Sequence, residues 1–177
     1  MNLLVGYDLP ASGFDDLARC APEAIERMAP NSVDSITLFR CIERMNGIQR
    51  VLFLNECYKA MKPGAVLEAM AHAWSSDAAY ADPRVVWPPV TAGWFRILSR
   101  VWRHASGEDY GALTDLPLHF EGENVQVKVI SDPEYCESLE LKSDEFKAHA
   151  ARYSLNFVQQ YHFTLTKPSE PVVDVGD

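Results

Sequence analysis

The 177-residue chain is short of positive charge: 16 Lys and Arg stand against 25 Asp and Glu, a formal net charge of −9. A general nucleic-acid binder needs a basic face to neutralise phosphates, so that role is not expected. No apolar run reaches the length of about 18 residues that a membrane-spanning helix needs, and no such helix is expected. The first residues lack a basic segment followed by an apolar one, so no secretory leader is expected. Cys20, Cys41, Cys57 and Cys136 form no CxxC pair, and none stands near a His at ligand spacing. Cys41 and Cys57 lie among apolar residues, which reads as buried thiols of a reduced, cytoplasmic protein. The histidines are scattered, so no metal is expected. Ser75-Ser76 lacks the Gly-x-Ser-x-Gly elbow, which argues against a hydrolase.

What the chain does hold is apolar material, 47% against 23% charged residues. That suits one α/β domain over 1–167, followed by a flexible tail over 168–177. The stretch 31–102 organises the rest. Asn31-Ser32 is a turn, and Val33 to Phe39 becomes apolar on both faces toward its end, as an interior parallel strand does. Gly47 to Met61 is helical, with Ile48, Val51, Leu52, Asn55 and Tyr58 on one stripe. Lys62-Pro63-Gly64 reads as its stop, and Val66 to Ala71 as a second interior strand. Together they make one βαβ unit. Residues 74–90 lack periodicity and hold Pro83, Pro88 and Pro89. They form a long loop at the carboxyl end of a strand, where open α/β sheets place ligands.

The flanks extend this unit. Asn2 to Tyr7 is a first strand, while Asp15 to Cys20 and Pro22 to Met28 have the composition of short helical turns. Thr91 to His104 reads as one helix, with Arg96, Arg100 and Arg103 on a solvated face. Ser106 to Gly122 is a mixed loop and Pro133 to Leu141 is ambiguous. Val125, Val127 and Val129 mark a strand with one polar face. Ser143 to Tyr153 is a helix capped by Ser143, and Asn156 to Thr166 is the longest strand, placed antiparallel.

Several stretches resemble a class I S-adenosylmethionine-dependent methyltransferase, of the small type found in bacteria and their phages. They are Asn31-Ser32-Val33-Asp34-Ser35-Ile36, the helix Val51 to Tyr58, Lys62-Pro63-Gly64, Trp74-Ser75-Ser76-Asp77, Tyr80, Asp82-Pro83, Trp87-Pro88-Pro89, Trp94-Phe95 and Gln160 to Lys167. The resemblance covers residues 31 to 104 best. It implies a Rossmann-like α/β fold, mostly parallel, with helices on both faces, an antiparallel C-terminal strand and a truncated N-terminal half. The family's glycine cluster after the first strand is reduced to Gly6, followed by Tyr7 and Asp8. The family often holds His where this chain has Arg40 and Arg44, and Asp-Pro-Thr-His at Asp82-Pro83-Arg84-Val85.

By that resemblance the cofactor would meet Gly6, Asp8 and Arg40, with Asp15 and Asp16 as other candidates for the ribose acid. His72, at the end of the second βαβ strand, and Asp82 are the candidate acid–base groups. Trp74, Asp77, Tyr80, Trp87 and Trp94 would form the pocket or partner loop. Two functions are implied. One is a pseudoenzyme without cofactor that binds a protein partner, such as a phage-encoded modulator of a protein in the host bacterial cytoplasm. The other is an active S-adenosylmethionine-dependent methyltransferase with a rebuilt site. A virion or assembly component is a third expectation, and a truncated sheet with an open edge favours a homodimer. If the chain leaves room beyond Tyr7, a cofactor site survives; if Tyr7 fills that room, it does not.

Overall fold

The computed structural model of the chain describes residues 1–7, 9–10, 16–108, 110–120, 126–131, 142–153 and 158–169. Its strands are β1 (Asn2–Val5), β2 (Ala18–Cys20), β3 (Val33–Phe39), β4 (Met61–His72), β5 (Gln126–Ser131) and β6 (Val158–Thr166). Its helices are α1 (Gly47–Ala60), α2 (Ala78–Ala81), α3 (Arg100–Ala105) and α4 (Asp144–Tyr153). One six-stranded sheet has the order β2-β1-β3-β4-β6-β5. The pairs β1–β2, β1–β3 and β3–β4 are parallel, whereas β6 runs against both β4 and β5. The expected α/β sheet, parallel except for its C-terminal strand, is therefore present. The sheet is knitted by apolar alternation: Leu3, Val5, Ile36, Leu38, Leu67, Phe163 and Leu165 all lie in one core.

The βαβ unit forms for local reasons. At the start of α1, the Asn46 side chain accepts from the Gln49 N–H at 2.9 Å, and the Gln49 side chain accepts from the Asn46 N–H at 3.0 Å. This reciprocal capping box satisfies donors that a helix start leaves open. At the other end, Lys167 Nζ donates to the carbonyls of Tyr58 and Met61 at 2.9 and 2.7 Å. A cation at a helix C-terminus satisfies its open carbonyls and suits its dipole. Lys167 thereby ties the end of β6 to the end of α1.

Five expectations are corrected. Ala18–Cys20 is a strand rather than a helical turn, because pairing with β1 overrides local composition. Lys62-Pro63-Gly64 lies inside β4, not before it. The register passes from Val33↔Met61 to Ser35↔Val66, so the extra residues bulge. Gly64 takes the φ of 77° that the bulge needs, and its N–H donates to the Lys167 carbonyl at 2.9 Å. The α1 stripe is rotated: Arg50, Val51, Leu54, Asn55, Cys57 and Ala60 are buried, while Ile48 is 62% and Leu52 46% exposed. The expected helix over Thr91–His104 breaks at Ser99, into a 3₁₀ turn over Ala92–Leu98 and then α3. Arg103 is buried, not solvated; it donates to the carbonyls of Ile97, Leu116 and Leu118 at 2.8–3.0 Å and so orders the following loop.

Other expectations hold. Cys41 and Cys57 are buried thiols, and Ser143 Oγ accepts from the Phe146 N–H at 3.2 Å. Between β1 and β3 the described residues hold β2 and a 3₁₀ turn over Pro22–Arg27, in line with a shortened first half. Pro168, at the start of the expected tail, is buried. Asp8, Asp15, Val125, Pro133 to Leu141 with Cys136, and 170–177 lie outside the described residues.

Candidate functional site

The carboxyl ends of β1 and β3 meet where the fold places its ligand. Val5 lies opposite Leu38, and Gly6 follows. A Cβ on Gly6 would stand 2.7 Å from the Phe39 carbonyl oxygen and 2.7 Å from Leu9 Cδ2. The missing side chain thus serves the close approach of two chain segments. Arg40 turns the chain off the sheet with a φ of 47°, a left-handed conformation uncommon outside glycine. Its N–H still donates to the Met70 carbonyl at 3.2 Å.

The 3₁₀ turn over Ile42–Arg44 then carries Glu43 inward, where it is buried. A buried carboxylate needs partners. The His72 N–H donates to Glu43 Oε2 at 2.5 Å, and His72 Nε2 lies 3.9 Å from Oε1. Burial holds the His72 imidazole below the ordinary His range, against the opposing pull of Glu43. His72 is therefore neutral at pH 7 and carries an acceptor or donor nitrogen beside a fixed carboxylate. Behind them Arg50 is fully buried, donating from Nε to the Ile42 carbonyl at 2.6 Å and from Nη2 to the Val86 carbonyl at 3.0 Å. Burial lowers its guanidinium to about 10, with Glu43 opposing, so it stays charged.

Phe39, Arg40, Glu43, Arg44, Asp82 and Arg84 line a cleft of about 100 Å³ in front of this cluster. Asp82 is held by Arg84 through Oδ1–Nε and Oδ2–Nη2 contacts of 2.8 Å and through the Arg84 N–H at 3.0 Å. Those bonds keep its carboxyl well below the usual range. An acid so committed is a poor proton acceptor and a good positioning charge.

Of the expected residues, Arg40 and Asp82 line one cleft, and the buried His72 meets it through Glu43. Gly6 abuts it through Phe39, and Asp8 lies outside the described residues. The aromatic loop divides. Trp74 and Trp94 pack against the core, and Trp94 sets its edge against Phe95 with centroids 5.1 Å apart. Tyr80 and Trp87 point outward, 57% and 73% exposed, and line a small hollow with Val85, Val86 and Pro89. Asp77 is exposed, and its carbonyl accepts the first hydrogen bonds of α2. Glu43 and Arg50 escaped the sequence reading. Their signal was a charge set within apolar neighbours, Cys41-Ile42 before Glu43 and Val51-Leu52 after Arg50.

A larger groove of about 580 Å³ opens beside the cleft and shares Arg44 with it. Tyr7, Pro22, Glu23, Glu26, Met45, Gln49, Leu52, Phe53 and Glu56 complete its lining. Tyr7 leaves it open, lying on one wall beneath the Arg44 guanidinium, 5.4 Å from the ring centroid. Among the described residues no group of His, Cys, Asp and Glu is placed to hold a metal. No described helix is long and apolar enough to cross a membrane.

No family model matches the sequence, and no curated protein matches it. Solved structures do. A SAM dependent methyltransferase from Archaeoglobus fulgidus superposes with a TM-score of 0.55 at 13% identity, over 87% of this chain and 69% of its own. The fold is that of a class I S-adenosylmethionine-dependent methyltransferase. A second match is the protein solved in complex with the Haloferax volcanii Trm112 methyltransferase activator. Its TM-score is 0.51 at 14% identity, over 90% of this chain and 64% of its own. The methyltransferase-like chain is thus shorter than either. At such identities the likeness concerns the fold, and function must be argued from the site.

Proposed function

We propose that this methyltransferase-fold protein acts by binding a protein partner rather than by transferring a methyl group. The observation that supports this is the small cleft at the carboxyl end of the sheet. Pockets that bury ligands the size of a nucleoside cofactor hold about 300–1,000 Å³, and this cleft holds about 100 Å³. Arg40, Arg44 and the Asp82–Arg84 pair line that cleft and leave no room in it for S-adenosylmethionine, and a Cβ on Gly6 would meet Phe39 and Leu9; the neighbouring groove, by contrast, has the volume for such a ligand. What the same end of the fold offers outward is Tyr80 and Trp87. Exposed aromatics on a loop held by a rigid sheet are typical of binding surfaces.

The full chain, used as bait in a bacterial lysate, is expected to retain a protein in stoichiometric amount. A bait carrying Tyr80→Ser and Trp87→Ser is expected to lose it. Recovery of none, or equal recovery by both baits, contradicts this reading.

A second reading is an active methyltransferase with a rebuilt cofactor site. It draws on the 580 Å³ of the neighbouring groove and on Glu23, which follows β2 as a ribose-binding acid would. S-adenosylmethionine would supply the methyl group, Glu23 would hold the ribose, and the neutral His72, oriented by Glu43, would accept a proton. Formation of S-adenosylhomocysteine by the wild type and its loss in His72→Gln would establish this reading over the first.

A further inference from the structure

The groove between the Pro22–Arg27 turn and α1 holds about 580 Å³, and the partner-binding reading leaves it without an occupant. We propose that it docks an amphipathic helix of a protein partner whose apolar stripe is flanked by Lys or Arg. This inference rests on the partner-binding reading and names the chemistry of one partner segment.

The shape is the first support. Gln49, Leu52, Phe53 and Glu56 recur at i, i+3, i+4 and i+7 of α1, so they share one face of the helix. That face runs down the helix for about 10 Å at 1.5 Å per residue, away from the carboxyl end of the sheet. Pro22, Glu23 and Glu26 form the facing wall. Two walls of this kind with an apolar floor are the receptor half of helix-in-groove recognition.

The floor is the second support. Leu52 is 46% exposed although it sits mid-helix, and Tyr7 is 42% exposed. Met45 and Phe53 join them in one lining, and Ile48 extends the apolar surface one turn toward the start of α1. Single exposed apolar residues are ordinary, whereas a continuous apolar floor between polar rims marks an interaction site.

The rim is the third support, and it selects the occupant. Glu23, Glu26 and Glu56 line the groove, Glu56 being paired with Lys59 at 2.7 Å, and the one cation in the lining, Arg44, lies over the Tyr7 ring. Such a rim favours a partner with cations beside its apolar stripe and disfavours an acidic one. The chain's net charge of −9 adds long-range attraction for the same partner. A second copy of this chain is a poorer occupant. A twofold contact through the groove would set these acids against their own copies.

A fluorescein-labelled synthetic helix of about 18 residues, with Leu at i, i+3, i+4 and i+7 and Lys on its flanks, is the probe. Its anisotropy is followed as full chain is added. The control is the same peptide with Glu for Lys. The Lys peptide is expected to bind, and the Glu peptide to bind at least about tenfold more weakly, a difference of about 1.4 kcal/mol. Leu52→Glu is expected to weaken the Lys peptide by a similar factor. Glu23→Lys with Glu26→Lys is expected to invert the preference between the peptides. The equal charge reversal Asp144→Lys with Glu145→Lys on exposed α4 is expected to change little. Circular dichroism confirms that each variant is folded. Equal binding of the two peptides, or affinity moved as much by the α4 reversal as by the groove reversal, overturns the inference. A dimer seen by light scattering and lost in Leu52→Glu overturns it in favour of self-association. Displacement of the Lys peptide by S-adenosylmethionine overturns both this inference and the partner-binding reading. A silent peptide with no S-adenosylmethionine binding overturns the groove alone.

Discussion

Arg50→Met tests how the aromatic loop is tied to the fold. The Arg50 guanidinium donates to Ile42 and Val86 at 2.6 and 3.0 Å and is fully buried. Val86 is also the residue whose N–H donates to the Glu43 carbonyl at 2.8 Å. Hydrogen bonds from a charged donor contribute about 1.5–3 kcal/mol each, so the two together carry roughly 3–6 kcal/mol. Met escapes the desolvation cost of a guanidinium, which returns part of this. Glu43, which makes no ion pair with Arg50, loses only the through-space attraction of a nearby guanidinium while staying buried, a smaller effect in the same direction as the lost hydrogen bonds. The net expectation is a loss of about 3–5 kcal/mol, or a fall in Tm of roughly 10 °C for a domain of this length. Urea unfolding followed by circular dichroism gives the first number, with the m-value unchanged. Limited proteolysis should show new cleavage between Arg84 and Val90. Glu43→Gln added to Arg50→Met should cost at least about 1 kcal/mol less than the sum of the single changes. A loss below about 1 kcal/mol, with no new cleavage, would refute the assignment of Arg50 as the tie.

Gly6→Ala should lower stability by about 1–3 kcal/mol in urea unfolding, because the new Cβ meets the Phe39 carbonyl oxygen; unchanged stability would return Gly6 to a ligand role. His72 has a folded-state pKa below its unfolded value, so the folded state favours its neutral form. Its contribution is complete above the ordinary His value of about 6.5 and declines as pH falls below it. Wild-type stability should therefore drop as pH falls below about 6.5, and His72→Gln should flatten that slope. Lys167→Met should cost about 1–3 kcal/mol, since the carbonyls of Tyr58 and Met61 lose their donor at the end of α1; a neutral result in urea unfolding would remove its capping role.

The βαβ frame was legible because its signals are local. Val33–Phe39 and the helix from Gly47 match the expected elements to within a residue, since apolar periodicity and the Asn46 cap act over short range. Long-range effects were not legible. Ala18–Cys20 became a strand only because β1 lies beside it, and Lys62-Pro63-Gly64 joined β4 because Lys167 pairs with its backbone. Arg103 looked like a surface charge because two of its carbonyl partners, Leu116 and Leu118, lie beyond it in the loop that it folds, and the third, Ile97, is reached only across the break at Ser99. The site shows the same division. His72 and Asp82 were marked by their place at a strand end and in the following loop. Glu43 and Arg50 acquire their roles only when the turn after β3 brings them behind that end.

The measurement that bears most directly on the account is calorimetric titration of the full chain with S-adenosylmethionine. The cleft of about 100 Å³ has no room for the cofactor, and the partner-binding reading, which gives the neighbouring groove to a protein segment, predicts no heat of binding at millimolar ligand. Saturable binding in the micromolar range would contradict it.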